Sequence, residues 1–376
     1  MMQHFENTLD EIARAGNLRS IPTTAGEAGY VDLTSNDYMG IAADRRLFDE
    51  FVTNCDFSKV YPSASASRLL SLHQDDFLAL ESLLASLYGR EALLFNSGYH
   101  ANTGIVSAIA DKDTVIIADK LVHASIIDGI ILSRARFVRF RHNDFDQLEK
   151  LLTEHSRQAQ RLLVIVESIY SMDGDIADLP RLVELKRKFP QMLLYVDEAH
   201  GFGVRGRQGL GVAEETGTIP DIDILVGTLG KAAASSGAFV ITSEIIKKFL
   251  INKARSFIFS TALSPFSCLW SKFVIEKLVG MHEERRQLLA VSNFLNENFA
   301  RYNGNIRSHS QIVPLIVGNS RKAVELSGFL KEHHILALPI RRPTVPPGTE
   351  RIRFSISTRF TMEMAEKLTN IINMYL

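Results

Sequence analysis

An acid, an imidazole and an amine that could share one piece of covalent chemistry lie between Asp197 and Lys231. They occur in Tyr195-Val196-Asp197-Glu198-Ala199-His200-Gly201 and in Gly227-Thr228-Leu229-Gly230-Lys231. A lysine amine can form a Schiff base with an aldehyde, and a carboxylate can keep a basic ring nitrogen protonated so that the ring withdraws electrons. The combination suits a cofactor that carries both groups. Each residue alone says less. A loop lysine is ordinarily solvated, although Gly227, Gly230 and Ala232-Ala233-Ala234 leave room for a planar ligand against the backbone. A nucleotide phosphate loop requires G-x-x-x-x-G-K-[ST]. The spacing G-x-x-G-K followed by Ala232 excludes that reading. An aspartate at a strand end is commonly a turn former; His200, three residues on, brings a second group to the same crevice.

The elements that must position these groups follow from the apolar pattern. Met192 to Val196 and Ile222 to Val226 read as buried strands. Asp197 and Thr228 therefore sit at strand carboxyl ends, where open α/β sheets bind ligands. His123 opens a helix after the strand Thr114 to Ala118 and reads either as structural or as a flat ring to stack on a cofactor. Asn96-Ser97-Gly98-Tyr99 joins the strand Ala92 to Asn96 to the helix Tyr99 to Ala110. Free amides at such a helix start form an anion site. Arg353 alternates along Arg351-Ile352-Arg353-Phe354-Ser355, and reads either as solvent-facing or as a fork for a carboxylate.

Further strands at Phe137 to Phe140, Leu162 to Val166 and Ala238 to Thr242 alternate with helices at Asp144 to His155 and Leu179 to Phe189. A helix at Asp75 to Tyr88 precedes them, and the stretch Gly29 to Thr34 reads as a strand. Alternation of this kind predicts an α/β fold, with a mainly parallel central sheet and helices on both faces. After Pro265 a long helical stretch, broken near Gly280, leads into a smaller C-terminal α+β domain. The expected boundaries are an N-terminal segment at 1–45, a large domain at 46–275 and the C-terminal domain at 276–376.

Composition narrows the partners. The chain has 376 residues, 42 basic against 43 acidic, and a net charge of -1. No long-range field draws it to nucleic acid or an anionic membrane. Cys55 and Cys268 stand alone, outside any Cys/His cluster, which points to a reducing compartment and away from bound metal. No apolar run approaches the roughly 18 residues of a membrane span, and the first 15 residues lack a leader pattern. The expectation is cytoplasmic.

Taken together, GTLGK with Lys231, VDEAHG with Asp197 and His200, DKLVHAS with His123, and NSGYHAN with Ser97-Gly98-Tyr99 resemble the α-oxoamine synthases. Glu167 and Ser171-Met172-Asp173-Gly174-Asp175 fit the same family's E-x-x-[FY]-S-M-D-G-D. The resemblance runs from Ser35-Asn36-Asp37-Tyr38 to Arg353. It implies a fold-type-I transferase that uses pyridoxal 5'-phosphate to join an amino acid to an acyl thioester with loss of carbon dioxide. By resemblance, Lys231 holds the cofactor and serves as base, Asp197 pairs with the ring nitrogen, and His200 and Ser171 bond its phenolic oxygen. His123 stacks on the ring, and Thr228 with Ser97, Gly98 and Tyr99 holds the phosphate. Ser260 and Thr261 reach across the interface of a homodimer with shared sites. Arg353 takes the substrate carboxylate, with Asn36, Arg19 and Thr344 nearby.

The segment Ile340 to Arg353 is most similar to the branch that condenses L-alanine with a pimeloyl thioester on CoA or a carrier protein. Serine–palmitoyl and glycine–acetyl condensations are the alternatives within the family, and a non-catalytic subunit on the same fold is the alternative outside it. Two features depart from the family. Ser63-Ala64-Ser65-Ala66-Ser67-Arg68 replaces a glycine-rich loop, and Phe77 replaces a histidine. Side chains in place of glycines narrow the space and favour a small amino acid.

Overall fold

The computed structural model describes residues 2–19, 21 and 29–376, in two compact units. One comprises Asp37–Ser171 and Ile176–Arg286; the other comprises Met1–Asn36, Met172–Asp175 and Gln287–Leu376. In chain order the strands among described residues are β1 (Val31–Asp32), β2 (Glu91–Phe95), β3 (Thr114–Asp119), β4 (Arg136–Phe140), β5 (Arg161–Glu167) and β6 (Met192–Asp197). They continue with β7 (Ile224–Thr228), β8 (Ala238–Thr242), β9 (Ile312–Ile316), β10 (Ile335–Leu336), β11 (Leu338–Ile340) and β12 (Arg351–Ser355).

The larger unit holds a seven-stranded sheet in the order β2-β8-β7-β6-β5-β3-β4. Both faces of its central strands are covered. Leu163, Ile165, Tyr195 and Val226 pack with Ile105, Val106, Ile126 and Ile130 from two helices, while Val164, Leu194 and Leu225 are equally inaccessible on the other face. That is why these strands read as unbroken apolar runs. The neighbouring pairs β3–β4, β3–β5, β5–β6 and β6–β7 are parallel. Strand β8 is antiparallel to both β2 and β7. Residues 229–237, between β7 and β8, carry no helix, and a parallel return needs a crossover of roughly a dozen residues or more. The short turn therefore reverses the chain, and Lys231 lies in it.

Four helices among the described residues were not assigned from the sequence: Val212–Glu215 and Arg255–Ile258, which are only four residues long, and two longer ones. Arg45–Asn54 and Glu244–Lys253 each carry apolar residues at helical spacing, Leu47, Phe48, Phe51 and Val52 in one and Ile245, Ile246, Phe249 and Leu250 in the other, yet they bury only Phe51 and Leu250. Each is set by its N-cap. Asp44 Oδ1 accepts from the amides of Arg46 (3.0 Å) and Leu47 (3.2 Å), and Ser243 Oγ accepts from Ile246.

In the smaller unit β11, β12 and β9 form an antiparallel sheet, and β1 pairs in parallel with β10. The strand expected at 29–34 is cut to Val31–Asp32, because Asp32 Oδ1 accepts from both the amide (2.8 Å) and hydroxyl (2.6 Å) of Thr34 and turns the chain. The extended stretch Ile335 to Ile340 is split at Ala337 between two sheets, as β10 and β11. No described helix is long and apolar enough to cross a membrane.

Candidate active site

Three neighbouring parallel strands, β5, β6 and β7, end in Glu167, Asp197 and Thr228. Their carboxyl ends share one edge of the sheet. Asp197 is 4% exposed. Its Oδ1 accepts from the Ala199 amide at 2.9 Å, and its Oδ2 from Asn102 Nδ2 at 2.7 Å. Asn102 also donates to Ser125 Oγ (2.9 Å), and its Oδ1 accepts from the Tyr195 hydroxyl (2.5 Å). The carboxylate is thus held by a fixed buried frame. Burial and the nearby Asp197 charge push the Tyr195 phenol well above its usual range, so it stays a donor.

His200 and Lys231 meet. Lys231 Nζ lies 2.8 Å from His200 Nε2, and His200 Nδ1 lies 2.7 Å from the Tyr38 hydroxyl. The lysine's turn is rigid: the Leu229 amide donates to Gly237 O, the Ser235 amide to Leu229 O, and the Ala234 amide to Lys231 O, each at 2.9 Å. Trp270 Nε1 adds a bond to Ala234 O at 2.9 Å. His123 caps the helix Ala124–Ser133. Its Nδ1 accepts from the Ser125 amide at 3.2 Å. Partial withdrawal of the ring from water lowers its pKa; Asp197 opposes this and Lys231 reinforces it. Both the capping role and a ring near the two charged groups are present in one residue.

Ser97 caps the helix Gly98–Ile109, accepting from the His100 amide at 3.2 Å. A Cβ built on Gly98 would lie 3.8 Å from Thr228 Oγ1. The bare Gly98 and the Thr228 hydroxyl therefore frame a small space at a helix N-terminus, which suits a phosphate. Tyr99 points its hydroxyl to Asp128 instead. Ser171 is half-buried in the segment after β5. Ser260 Oγ and Thr261 O both accept from Asn96 Nδ2 of the same chain, the former at 2.9 Å.

Two buried acids next to Asp197 were present in the motifs without a role. Glu167 is its register partner. Burial first, then the Asp197 charge, holds its carboxyl well above the usual range. Glu198 accepts from Ser168 Oγ and from the Ala213 amide (2.7 Å), and burial raises it to about 7. A folded-state value above the unfolded one stabilises the fold below the unfolded pKa, and that stability is lost as pH rises through the folded value. The gap corresponds to about 3 kcal/mol. Glu198→Gln is expected to flatten the decline in stability between pH 4.5 and about 7, read by denaturant unfolding across that range. A parent protein with no such decline would contradict the assignment.

Tyr38, Asn102, Ser125 and Tyr195 were not anticipated as parts of the site. One sign was available: an amide at position 102, flanked on its helix by Ala101, Ile105 and Val106, marks a polar group on an apolar face. The departing positions also acquire a reason. Phe77 is 1% exposed, and the Arg68 guanidinium stands 4.5 Å over its ring while pairing with Glu81 at 3.1 Å. A histidine at 77 would place a second cation beside Arg68 when protonated.

In the smaller unit Arg353 is buried, not solvent-facing. Its Nη1 donates to Ser355 Oγ at 2.5 Å and its Nη2 to Asn36 Oδ1 at 3.2 Å. Arg351, two residues earlier on β12, is also buried and pairs with Asp173. Arg19 and Thr344 are exposed.

The aminotransferase class I and II family model matches residues 28–372. The chain therefore belongs to the aminotransferase class I and II family, a fold-type-I group, and it is a pyridoxal-phosphate-dependent α-oxoamine synthase. It is 45% identical to the 8-amino-7-oxononanoate synthase of Haemophilus ducreyi, over 96% of this chain and 97% of that one. Among solved structures it is similar to the 8-amino-7-oxononanoate synthase of Francisella tularensis, at 29% identity and a TM-score of 0.77, covering 92% of this chain and 98% of that one. It is likewise similar to the serine palmitoyltransferase of Sphingomonas wittichii, at 31% identity and a TM-score of 0.85, covering 92% and 86%. The donor set fits the cofactor: one buried anion, a reachable amine, an exposed imidazole and a helix start facing a hydroxyl.

Proposed function

We propose that the chain condenses L-alanine with a pimeloyl thioester, on CoA or a carrier protein. The products are 8-amino-7-oxononanoate, carbon dioxide and the free thiol, a step of biotin biosynthesis. The observation that carries this reading is the 45% identity to the Haemophilus ducreyi enzyme across nearly the whole chain. The segment Ile340 to Arg353 supports the alanine–pimeloyl branch, and the side chains of the Ser63-to-Ser67 loop favour a small amino acid such as alanine or glycine.

Bound pyridoxal phosphate supplies an electron-withdrawing ring that stabilises negative charge at the amino acid's α-carbon. Lys231 Nζ would hold its carbonyl carbon and, once released, take the α-proton. Asp197 would keep the ring nitrogen protonated, and His200 with Ser171 would bond the phenolic oxygen. His123 would lie on the ring face. Thr228 and the Ser97-Gly98-Tyr99 turn would hold the phosphate. Arg353, with Asn36, is the proposed fork for the substrate carboxylate, and Arg19 and Thr344 are proposed contacts of the substrate. A serine–palmitoyl reaction is the second reading, favoured by the TM-score of 0.85 to the Sphingomonas enzyme.

Steady-state kinetics would cross alanine, glycine and serine with pimeloyl, acetyl, succinyl and palmitoyl thioesters. Alanine with pimeloyl is expected to give the highest kcat/KM; a serine–palmitoyl or glycine–acetyl pair in that place would overturn the proposal. The protein is further proposed to be a cytoplasmic homodimer in which Ser260 and Thr261 complete the neighbour's phosphate site. Mixing inactive Lys231→Ala and Thr261→Ala subunits should restore part of the activity, and sedimentation should report a dimer. An active monomer would end the shared-site idea.

A further inference from the structure

Tyr38 is fully buried, and its hydroxyl is linked through His200 to Lys231. The two links are 2.7 Å and 2.8 Å, and the Tyr38 and His200 rings are tilted 52° at a centroid separation of 6.0 Å. A neutral imidazole has one donor and one acceptor nitrogen. The chain therefore has two settings. If Tyr38 O–H donates to Nδ1, Nε2 carries the proton and donates to Nζ, which can accept only as a neutral amine. If Lys231 is an ammonium, Nζ donates to Nε2, Nδ1 carries the proton, and the Tyr38 oxygen accepts.

We infer that Tyr38 is a positioning residue that fixes the Nε2-protonated tautomer of His200 and thereby favours the neutral, nucleophilic amine of Lys231. The same tautomer makes Nε2 a donor toward a bound cofactor's ring oxygen. The inference rests on the reading of Lys231 as the cofactor-holding amine.

Charged and titratable groups also act on this chain. Asp197, on β6, favours the ammonium, yet both of its oxygens are engaged by Asn102 and Ala199. Glu167, on β5, has its carboxyl held well above the usual range by burial and by the Asp197 charge, which weakens it as a second anion. His123, whose pKa is lowered, adds no cation near neutral pH. Glu198 turns to Ser168 and Ala213. With an anion favouring the charged amine and partial burial opposing it, and with a phenol donating a stronger hydrogen bond than it accepts, the bond donated by Tyr38 shifts the equilibrium. Such a bond is worth on the order of 1 kcal/mol, close to one pKa unit.

The test uses the full chain freed of cofactor. Nitrogen-15 histidine NMR is expected to show His200 protonated at Nε2 in the parent and to lose that preference in Tyr38→Phe. The pH midpoint for capture of added pyridoxal phosphate should rise by about one unit in Tyr38→Phe, slowing capture roughly tenfold at neutral pH. An unchanged thermal midpoint would show that the fold is kept. Nδ1 protonation of His200 in the parent overturns the inference whether or not the variant folds, and so does an unchanged capture midpoint in a folded variant. Borohydride labelling separates the two ideas: a label on another lysine removes the Lys231 reading, while the NMR result still decides the tautomer.

Discussion

Lys231→Ala is expected to abolish turnover, a loss beyond about 10⁴-fold, while leaving the protein folded. The variant removes both the covalent anchor for the cofactor and the base for the α-proton, and positioned bases alone contribute about 10²–10⁴-fold. The fold should survive because the turn is held by its backbone. The bonds from Leu229, Ala234 and Ser235 do not involve the lysine side chain, and the small neighbours Ala232 and Ala233 are buried without it. Borohydride should tether the cofactor to Lys231 in the parent and fail to do so in the variant, read by peptide mapping. A label recovered on another lysine, or activity within tenfold of the parent, would sink the assignment.

How legible the site was depended on the physical range of each interaction. Lys231, Asp197 and His200 could be read because strand ends and short motifs are local features of the chain. The frame behind them could not. Asn102 reaches Asp197 across 95 residues, and Tyr38 reaches His200 across 162; no spacing rule connects such positions. The fold divides in the same way. Strands buried on both faces announce themselves by continuous apolar runs, so β3, β5 and β6 were legible. The reversal of β8 was not, because direction is decided by the length of the 229–237 turn rather than by the strand's own residues. Arg353 is a different case: alternation along β12 left a solvent-facing reading open beside the carboxylate fork, and in this sheet the alternate positions Arg351 and Arg353 are both buried and bonded. Alternation gives the side of a strand and says nothing of what covers it.

Asp197→Asn is expected to bind the cofactor yet lose at least about two orders of magnitude in kcat, the range for removing one key electrostatic group. The change looks isosteric, but the surrounding donors make it costly. Both carboxylate oxygens accept hydrogen bonds, from Asn102 Nδ2 at 2.7 Å and from the Ala199 amide at 2.9 Å. An amide at 197 has one acceptor oxygen, so its NH₂ must face one of these two donors. If it faces Ala199, a backbone donor is left unpaired. If it faces Asn102, that side chain must flip to offer its oxygen; its Nδ2 then points at the Tyr195 hydroxyl, which can accept it but loses the acceptor for its own O–H. Either outcome leaves a buried polar group without a partner, at a cost of about 1–3 kcal/mol. A modest fall in unfolding midpoint should therefore accompany the kinetic loss. The two effects have separate causes: the stability cost comes from the donor mismatch, and the rate loss from an amide's inability to keep a ring nitrogen protonated. Asn102→Ala tests the division, since it removes the frame while keeping the carboxylate; it should lose stability but retain more kcat than Asp197→Asn. Near-normal kcat in Asp197→Asn would mean that this carboxylate does not face the cofactor ring.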